Sequence, residues 1–351
     1  MCGYTPFPVD GDKVSLVIPG RNCAQTLGSC LRAAAATRGV TALDEIIFVD
    51  DGSTDGTTEV ARRFPVTILS ASGRGPGAAR NLGWRAARHG LIWFIDADCV
   101  PEADSLNLLL PHLAEGRVAG VGGSYANLLE KSLLACVIHE EIVERHRAMP
   151  KRVNFLASFN VLYRRAVLEQ VGGFNERFLK GQDAELAWRI LEAGHELAFE
   201  LRSRVGHFHP VNLREYLATQ RAQGFWRVRL YLRHPGHARG DVYSGLVDHL
   251  QPPAALAALA SSLLLLVPGA RWTIIVLLGF LIALQFPMTV RLVRRTGRWG
   301  YVGHAPLGMS RALWRGMGMC EGAWHVLWSG AGTSGSSKAP SNAGGGSQKT
   351  G

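Results

Sequence analysis

Apolar, β-rich runs alternate with helix-forming runs through the first hundred residues of the chain. Each run is four or five residues long and is followed by a turn and a helical pattern. The four predicted strands are Val14–Ile18, Glu45–Val49, Val66–Leu69 and Leu91–Ile95. This alternation is typical of successive strand–helix–strand units, so we predict an α/β fold with a mostly parallel sheet flanked by helices.

Acidic residues follow two of these strands directly. Asp50 and Asp51 come after the second strand, and Asp96-Ala97-Asp98 comes after the fourth. Open parallel sheets bind ligands beyond the carboxyl ends of their strands. In an extended segment residues i and i+2 point to the same side, so Asp96 and Asp98 can reach one divalent cation or one metal–diphosphate complex. The alternative is an ordinary turn in which an Asp caps a helix, and D-x-D also occurs by chance.

A glycine-rich loop, Gly73–Gly77, precedes the third predicted helix, and Arg80 opens that helix with Asn81 beside it. A cation at a helix N-terminus is unfavourable against the helix dipole, so capping does not explain Arg80. An anion placed there would meet the guanidinium and free backbone N–H groups. A dinucleotide-binding loop is disfavoured because Pro76 lies inside the loop and both Asp pairs would be left unexplained.

A long uncharged segment follows. Residues 252–290 hold a single charge, Arg271, which divides them into Ala254–Ala270 and Trp272–Val290. Each piece is close to the roughly 20 apolar residues that cross a bilayer, although either alone could be a core helix. Because arginines cluster on both sides, we predict a transmembrane hairpin at residues 252–290 with both ends in the cytoplasm. The protein would then be multi-pass.

The other segments are divided by composition. Residues 1–12 are a predicted N-terminal extension without a signal-peptide pattern, and 13–240 form the α/β unit. Residues 291–330 are basic and rich in aromatics, which indicates an interfacial or re-entrant piece, and 331–351 form a Gly/Ser-rich tail that we expect to be flexible. The six cysteines include no C-x-x-C pair, so neither a zinc site nor a redox pair is indicated.

The net charge of +10 suits anionic partners without choosing among them. A nucleic-acid partner would need basic and aromatic residues together on a surface, and the stretch from Trp226 to Arg239 has that composition. It directly precedes the membrane segment, however, and attraction to anionic lipid head groups explains it more simply. We therefore predict a membrane partner and no nucleic acid.

Four blocks of sequence, taken together, resemble a known family. VSLVIPGRNCAQTLGSCL, EIIFVDDGSTDGT, GPGAARNLG and LIWFIDAD occur in the order and spacing found in the inverting family 2 glycosyltransferases of GT-A fold, which is Rossmann-like. The resemblance covers Val14 to His209. It implies transfer of a sugar from a nucleotide-diphospho-sugar to a hydroxyl acceptor, with Mg²⁺ or Mn²⁺ as cofactor.

The resemblance also implies roles for individual residues. The first strand and the Asp-Asp turn would hold the nucleotide, and the D-x-D motif would hold the metal on the donor diphosphate. The implied metal ligands are Asp98 and His207, although two histidines on an exposed strand are also commonplace. The implied donor-binding residues are Pro19, Arg21, Asn22, Asp50, Asp51, Arg80, Asn81, Asp96 and Ala97.

An acidic motif of the same family, usually Glu-Asp ahead of a helix, corresponds here to Gln182-Asp183. Asp183 would be the general base, with a helix N-cap as its alternative. Gln182 departs from the usual Glu, which puts acceptor contacts in doubt more than the base. The acceptor-side candidates are Gln182, Glu185 and His209. The Q-x-x-R-W motif of processive relatives is only approached, at Gln220–Trp226, which argues against a polymer synthase.

Other functions remain open at this point. A degenerate transferase domain serving as a nucleotide-sugar-binding scaffold is compatible with Gln182, but it also predicts loss of the D-x-D pair, and Asp96 and Asp98 are both present. A nucleotidyltransferase would be separated by whether a nucleotide or a sugar appears on the product. The predicted topology places the catalytic unit at the cytoplasmic face of the membrane, where a lipid-linked acceptor fits.

Overall fold

A nine-stranded sheet is the centre of the N-terminal unit in a computed structural model of the chain. The structure describes residues 13–38, 41–237, 240–262, 267 and 270–328; the predicted extension 1–12 and tail 331–351 lie outside these ranges. The strands are β1 (Val14–Gly20), β2 (Leu43–Asp50), β3 (Thr67–Ser70), β4 (Leu91–Ile95), β5 (Cys99–Pro101), β6 (Val118–Asn127), β7 (Arg152–Val153), β8 (Asn160–Arg164) and β9 (Glu196–His207).

Eleven α-helices occur in the described residues. Those that flank the sheet are α1 (Ala24–Thr37), α2 (Thr57–Ala61), α3 (Pro76–Ala86), α4 (Ser105–Leu113), α5 (Leu133–Arg147), α6 (Arg165–Val171) and α7 (Gln182–Glu192). The C-terminal helices are α8 (Leu213–Arg233), α9 (Leu246–Ser262), α10 (Ala270–Thr296) and α11 (His304–Trp328).

The strand order is β3-β2-β1-β4-β8-β6-β9-β5, with β7 beside β9. Strands β1 to β4 are mutually parallel, which confirms the prediction for this half of the sheet. The whole sheet is mixed, because β8 lies antiparallel between β4 and β6 and β5 lies antiparallel to β9. After β4 the regular strand–helix alternation ends, and antiparallel pairs occur beside the parallel pair of β6 and β9.

Both faces of the sheet are covered, which explains why its strands are continuously apolar. Phe48 and Trp93 point to the face covered by α1 and α4, where they join one buried cluster with Leu31. Ile47 and Phe94 alternate with them and point to the other face, in a second cluster that includes Leu186 of α7. The period of two along each strand thus divides one apolar run between two cores.

The helix α11 packs lengthwise against α8 through glycines. A Cβ added at Gly224 of α8, or at Gly318 or Gly322 of α11, would overlap backbone atoms of the facing helix. Small residues at these three positions therefore let the two helices approach closely. The segment 301–330, predicted as interfacial or re-entrant, contains this packed helix.

One helix in the described part of the chain, Arg271–Thr296, is long and apolar enough to cross a membrane, and 11% of its most apolar window is buried inside the protein. It includes the second predicted span, Trp272–Val290, which is confirmed as one continuous helix. The first predicted span begins inside α9, which ends at Ser262, and residues 263–266 lie outside the described ranges. The hairpin therefore stays a prediction.

Helix α5 joins the sheet unit to the C-terminal helices through buried charges. Glu141 accepts hydrogen bonds from Arg145 at 2.9 Å and from Arg311 of α11 at 2.6 Å. Arg145 also donates to Asp248 of α9 at 2.7 Å. All four side chains are largely removed from solvent. Since each charge has an opposite partner, loss of one member would leave the others buried and unpaired.

We predict that Glu141→Ala lowers the free energy of unfolding by about 3–5 kcal/mol, because it leaves the buried guanidinium of Arg311 without its carboxylate partner and takes one of two carboxylates from Arg145. The measurement is thermal or chemical unfolding in detergent. The matched control is Glu169→Ala, which removes an exposed ion pair with Arg165 and should cost less than about 1 kcal/mol. Equal effects of the two substitutions would contradict the structural role of the Glu141 network.

Candidate active site

The carboxyl ends of β1, β2 and β4 meet at one edge of the sheet. Strand β1 lies between the other two, and Gly20 is opposite Asp50 in the register. The turn Asp96–Asp98 follows β4 at the same edge and leads into β5. The two acidic groups that the sequence places after separate strands are thus brought to one end of the sheet, as predicted.

Asp51 is buried at this edge with half of its carboxylate unused. Its Oδ2 accepts a hydrogen bond from the backbone N–H of Gly75 at 2.9 Å, whereas its buried Oδ1 has no partner. Burial raises the pKa of Asp51, and the Gly75 N–H and the charge of Arg21 oppose that rise. A buried acceptor without a donor is costly, so this oxygen is suited to an N–H or hydroxyl of a ligand.

The loops after β1 and β2 are hydrogen-bonded to each other. Asn22 has a left-handed φ of 50°, and its Oδ1 accepts the backbone N–H of Thr54 at 2.8 Å. The carboxylate of Asp50 accepts both the N–H and the hydroxyl of Ser53. Asn22 and Asp50 therefore shape the edge of the site through these loops. Of the other predicted donor contacts, Arg21 is exposed, while Pro19 and Ala97 are buried.

Arg80 is a buried cation with spare hydrogen-bond donors. It is 5% exposed, and its Nη2 donates to Asp96 Oδ1 at 2.5 Å. The guanidinium lies over the ring of Phe174, 5.6 Å from its centroid. Its Nε and Nη1 are buried without partners. Two unused donors on a fixed guanidinium are suited to the oxygens of an anion such as a phosphate.

Asp98 and His207 are brought together by the pairing of β5 with the end of β9, in which Cys99 is opposite His207. His207 Nε2 lies 3.3 Å from Asp98 Oδ2. The Asp98 side chain is 46% exposed. Although burial by surrounding atoms disfavours its charged form, the hydrogen bond and charge of His207 hold the pKa of Asp98 below its usual value.

This pair fits a divalent cation. In the described ranges, the ligand atoms of Asp98, Cys99 and His207 lie within 4.8 Å of one another. Cys99 is fully buried, and burial raises the pKa of its thiol far above the usual value, so Cys99 is the least favoured ligand of the three. A carboxylate oxygen and an imidazole nitrogen remain, and together they suit Mg²⁺ or Mn²⁺.

His209 lies behind His207. His209 is 2% exposed, and its ring nitrogens lie 2.9 Å from His207 Nδ1 and 3.1 Å from His139 Nδ1. Burial lowers the pKa of His209 to about 2, so its ring is neutral. The role of His209 toward the acceptor stays a prediction. No local pattern in the sequence indicates His139, since it lies on α5 among other helix residues.

Asp183 lies in the first turn of α7, and the N-cap of that helix is Gly181. Asp183 therefore does not cap the helix. Burial raises the pKa of Asp183, Asp96 adds to the rise, and the charge of Arg80 opposes it. The carboxylate is thus within the electrostatic reach of the Arg80–Asp96 pair. The neighbouring Gln182 is buried, and its Oε1 has no hydrogen-bond partner.

Asn81 and Glu185 are buried anchors of the Gly172-Gly173-Phe174 turn. Asn81 bonds both the N–H and the C=O of Phe174 at 2.8 Å. Glu185 accepts from Arg189 at 2.7 Å, and Arg189 in turn donates to the carbonyl of Gly173 at 2.6 Å. Protein groups thus occupy the polar atoms of both residues, and the donor contact of Asn81 and the acceptor contact of Glu185 stay predictions.

With this geometry established, comparison with known proteins identifies the N-terminal unit. Residues 15–172 match the model of the family described as glycosyl transferase family 2. The chain carries a family 2 glycosyltransferase domain. It is 31% identical over 254 residues to a pre-mycofactocin glycosyltransferase of Mycobacterium tuberculosis, an alignment that covers 68% of this chain and 53% of that protein. The chain thus spans about half the length of this relative.

Two further proteins are similar to this glycosyltransferase chain. A glycosyltransferase of Haloferax volcanii is 28% identical over 194 residues, which cover 53% of this chain and 64% of that protein. The structure of a mannosyltransferase from Pyrobaculum calidifontis, solved with GDP-Man and Mn²⁺, matches with a TM-score of 0.57 at 18% identity. That match covers 91% of this chain and 89% of the other, and it confirms the predicted GT-A-like fold.

We predict that Asn81→Ala lowers stability by about 1–3 kcal/mol for each group that it leaves unpaired, because Phe174 and Trp84 both lose partners. The control is Asn107→Ala at an exposed position of α4, which should unfold like wild type. The measurement combines denaturant unfolding with nucleoside diphosphate titration of the folded protein. Loss of nucleotide affinity with unchanged stability would contradict the anchoring role and support Asn81 as a donor contact.

Proposed function

We propose that this protein is an inverting glycosyltransferase that moves a sugar from a nucleotide-diphospho-sugar to a hydroxyl acceptor at a membrane surface. One observation carries the proposal: Arg80, with two unused buried donors, is held by Asp96 two residues from the Asp98–His207 pair. That arrangement offers a diphosphate both hydrogen-bond donors and a cation site. The activities in the names of the relatives support the same class of reaction.

The donor would lie along the carboxyl edge of the sheet. Asp51 Oδ1 is free to accept a hydrogen bond from the base or ribose, and Arg80 is free to donate to the diphosphate. Asp98 and His207 would hold the divalent cation, and the complex of the Pyrobaculum mannosyltransferase with GDP-Man and Mn²⁺ supports that choice. When bound, the cation supplies positive charge against the diphosphate leaving group.

The acceptor would approach from the side of α7. Asp183 takes the proton of the acceptor hydroxyl as its oxygen bonds to the anomeric carbon and the bond from that carbon to the diphosphate breaks. One displacement inverts the configuration, and it needs no second carboxylate as nucleophile. The unpaired Oε1 of Gln182 is available to orient an acceptor hydroxyl.

The C-terminal helices would attach this site to a membrane. The helix α10 exposes large apolar side chains such as Trp272 and Phe286, which water does not favour. Arginines lie in its last turns, and one of them, Arg295, pairs with Glu140 of α5 in the catalytic unit. By the positive-inside rule this end faces the cytoplasm, where we place the catalytic domain. Together, α9 and α10 would form a multi-pass membrane anchor. A lipid-linked acceptor suits a catalytic domain that is anchored in this way.

The principal test is release of nucleoside diphosphate from a panel of UDP-, GDP- and dTDP-sugars by the detergent-solubilised protein. We expect release with one donor in the presence of Mn²⁺ and a lipid extract, and its loss in EDTA. Sugar on the product would exclude a nucleotidyltransferase. Binding of a donor without turnover would favour the degenerate scaffold, with which Gln182 in place of the usual Glu is compatible. Failure to bind any donor would overturn the proposal.

Asp183→Asn should lower kcat by about 10²–10⁴-fold while donor affinity stays within about threefold, because only proton removal is lost. The control is Asp104→Asn, at an exposed position whose side chain makes no capping bond. Since burial raises the pKa of Asp183, the base is protonated at a higher pH than an ordinary Asp, whose pKa is about 3.9. As the pH is lowered, the wild-type rate should therefore begin to fall while the pH is still above about 4. A normal kcat in the variant would refute this role.

A further inference from the structure

Three imidazoles lie in a row behind the Asp98–His207 pair, and the proposed reaction uses only the first. His207 Nδ1 lies 2.9 Å from His209 Nδ1, and His209 Nε2 lies 3.1 Å from His139 Nδ1. His209 and His139 are buried. In the described residues, the hydrogen-bonding contacts found for His209 are these two ring nitrogens. Each contact needs one proton between two nitrogens, so the protonation of one ring determines that of the next.

A cation bound to His207 would determine which nitrogen of each of the three rings carries the proton. To bind a cation, Nε2 of a neutral imidazole must offer its lone pair, so the ring proton must be on Nδ1. The Nδ1–H of His207 then donates to Nδ1 of His209, whose own proton is on Nε2. That second proton is donated to Nδ1 of His139. With neutral rings and a cation at Nε2 of His207, this is the arrangement that satisfies both hydrogen bonds.

Aromatic packing fixes the plane of the first ring. Tyr125 lies against His207 with 4.7 Å between centroids and against His209 with 5.5 Å. Phe159 stacks on the other side of Tyr125. Since the backbone of His207 is paired with Cys99, both the main chain and the side chain of His207 are held. The rings are therefore constrained to the one orientation in which the hydrogen bonds form.

We propose that His209, supported by His139, is a positioning residue that orients His207 and holds its Nδ1 proton, so that Nε2 is open to a divalent cation. The inference rests on the cation site of the proposed function. Partners that hydrogen-bond the distal nitrogen of a histidine ligand typically change metal affinity by 10–100-fold. A second histidine in this place is neutral, unlike a carboxylate, so it sets the tautomer without adding negative charge to the site.

The test is Mn²⁺ titration followed by electron paramagnetic resonance of the free ion, on the full-length protein in detergent. His209→Leu should weaken Mn²⁺ binding by about 10–100-fold, because no acceptor remains for the Nδ1 proton. His209→Asn keeps an acceptor oxygen near the position of Nδ1 and should bind within about threefold of wild type. His195→Leu, directly before the start of β9 at the end away from the site and bonded to Gln170, is the control and should bind like wild type.

The outcomes separate the two proposals. If wild type binds no Mn²⁺, the cation site itself is overturned and the role of His209 with it. If wild type binds Mn²⁺ and His209→Leu binds equally well, or if the Leu and Asn variants lose affinity equally, only the role of His209 is overturned.

Should the variants fail to fold, ¹⁵N NMR of wild-type histidines in saturating Mg²⁺ and nucleoside diphosphate gives the same decision. A proton on His207 Nδ1 and on His209 Nε2 is expected. A proton on His207 Nε2 under these conditions would overturn the inference.

Discussion

The antiparallel pairing of the short strand β5 with the end of β9 is the contact on which the site depends. It places Cys99 opposite His207 and thereby sets Asp98, the last residue before β5, next to the imidazole. Strand β9 also pairs with β6 and β7, so its position is fixed by the sheet and not by the site. The two residues of the proposed cation site are therefore brought together by backbone hydrogen bonds between distant segments.

Charge balance explains how so many ionisable groups share one edge of a sheet. Arg80 is buried against Asp96, and His207 is paired with Asp98, so each carboxylate of the D-x-D motif has a partner. Burial raises the pKa of Asp183, and the charge of Asp96 adds to the rise, although the Ala184 N–H and the charge of Arg80 oppose it. A raised pKa makes Asp183 a better proton acceptor, which is the property a general base requires.

Helix α5 connects the site with the C-terminal helices. One of its residues, His139, contacts His209 behind the cation site, and the next two, Glu140 and Glu141, pair with Arg295 of α10 and Arg311 of α11. The position of α5 is consequently constrained from both sides. The exposed apolar helix α10 and the sheet edge thus both contact α5, which would set the position of the site relative to the proposed anchor.

Periodicity and turn chemistry in the sequence were enough to predict β1 to β4 and the meeting of the two acidic turns, because these are local patterns repeated along the chain. The sequence did not show that Asn81 and Glu185 anchor the Gly172-Gly173-Phe174 turn, since a buried polar side chain and a ligand-binding one use the same residue types. His139 was missed because nothing local shows that a helix histidine meets a histidine 70 residues later. The most direct test of the account is the anomalous difference map of a crystal grown with Mn²⁺ and a nucleoside diphosphate. We predict a peak within coordination distance of Asp98 and His207, with the diphosphate against Arg80; a fully bound Mn²⁺ and nucleotide elsewhere on the protein would contradict it.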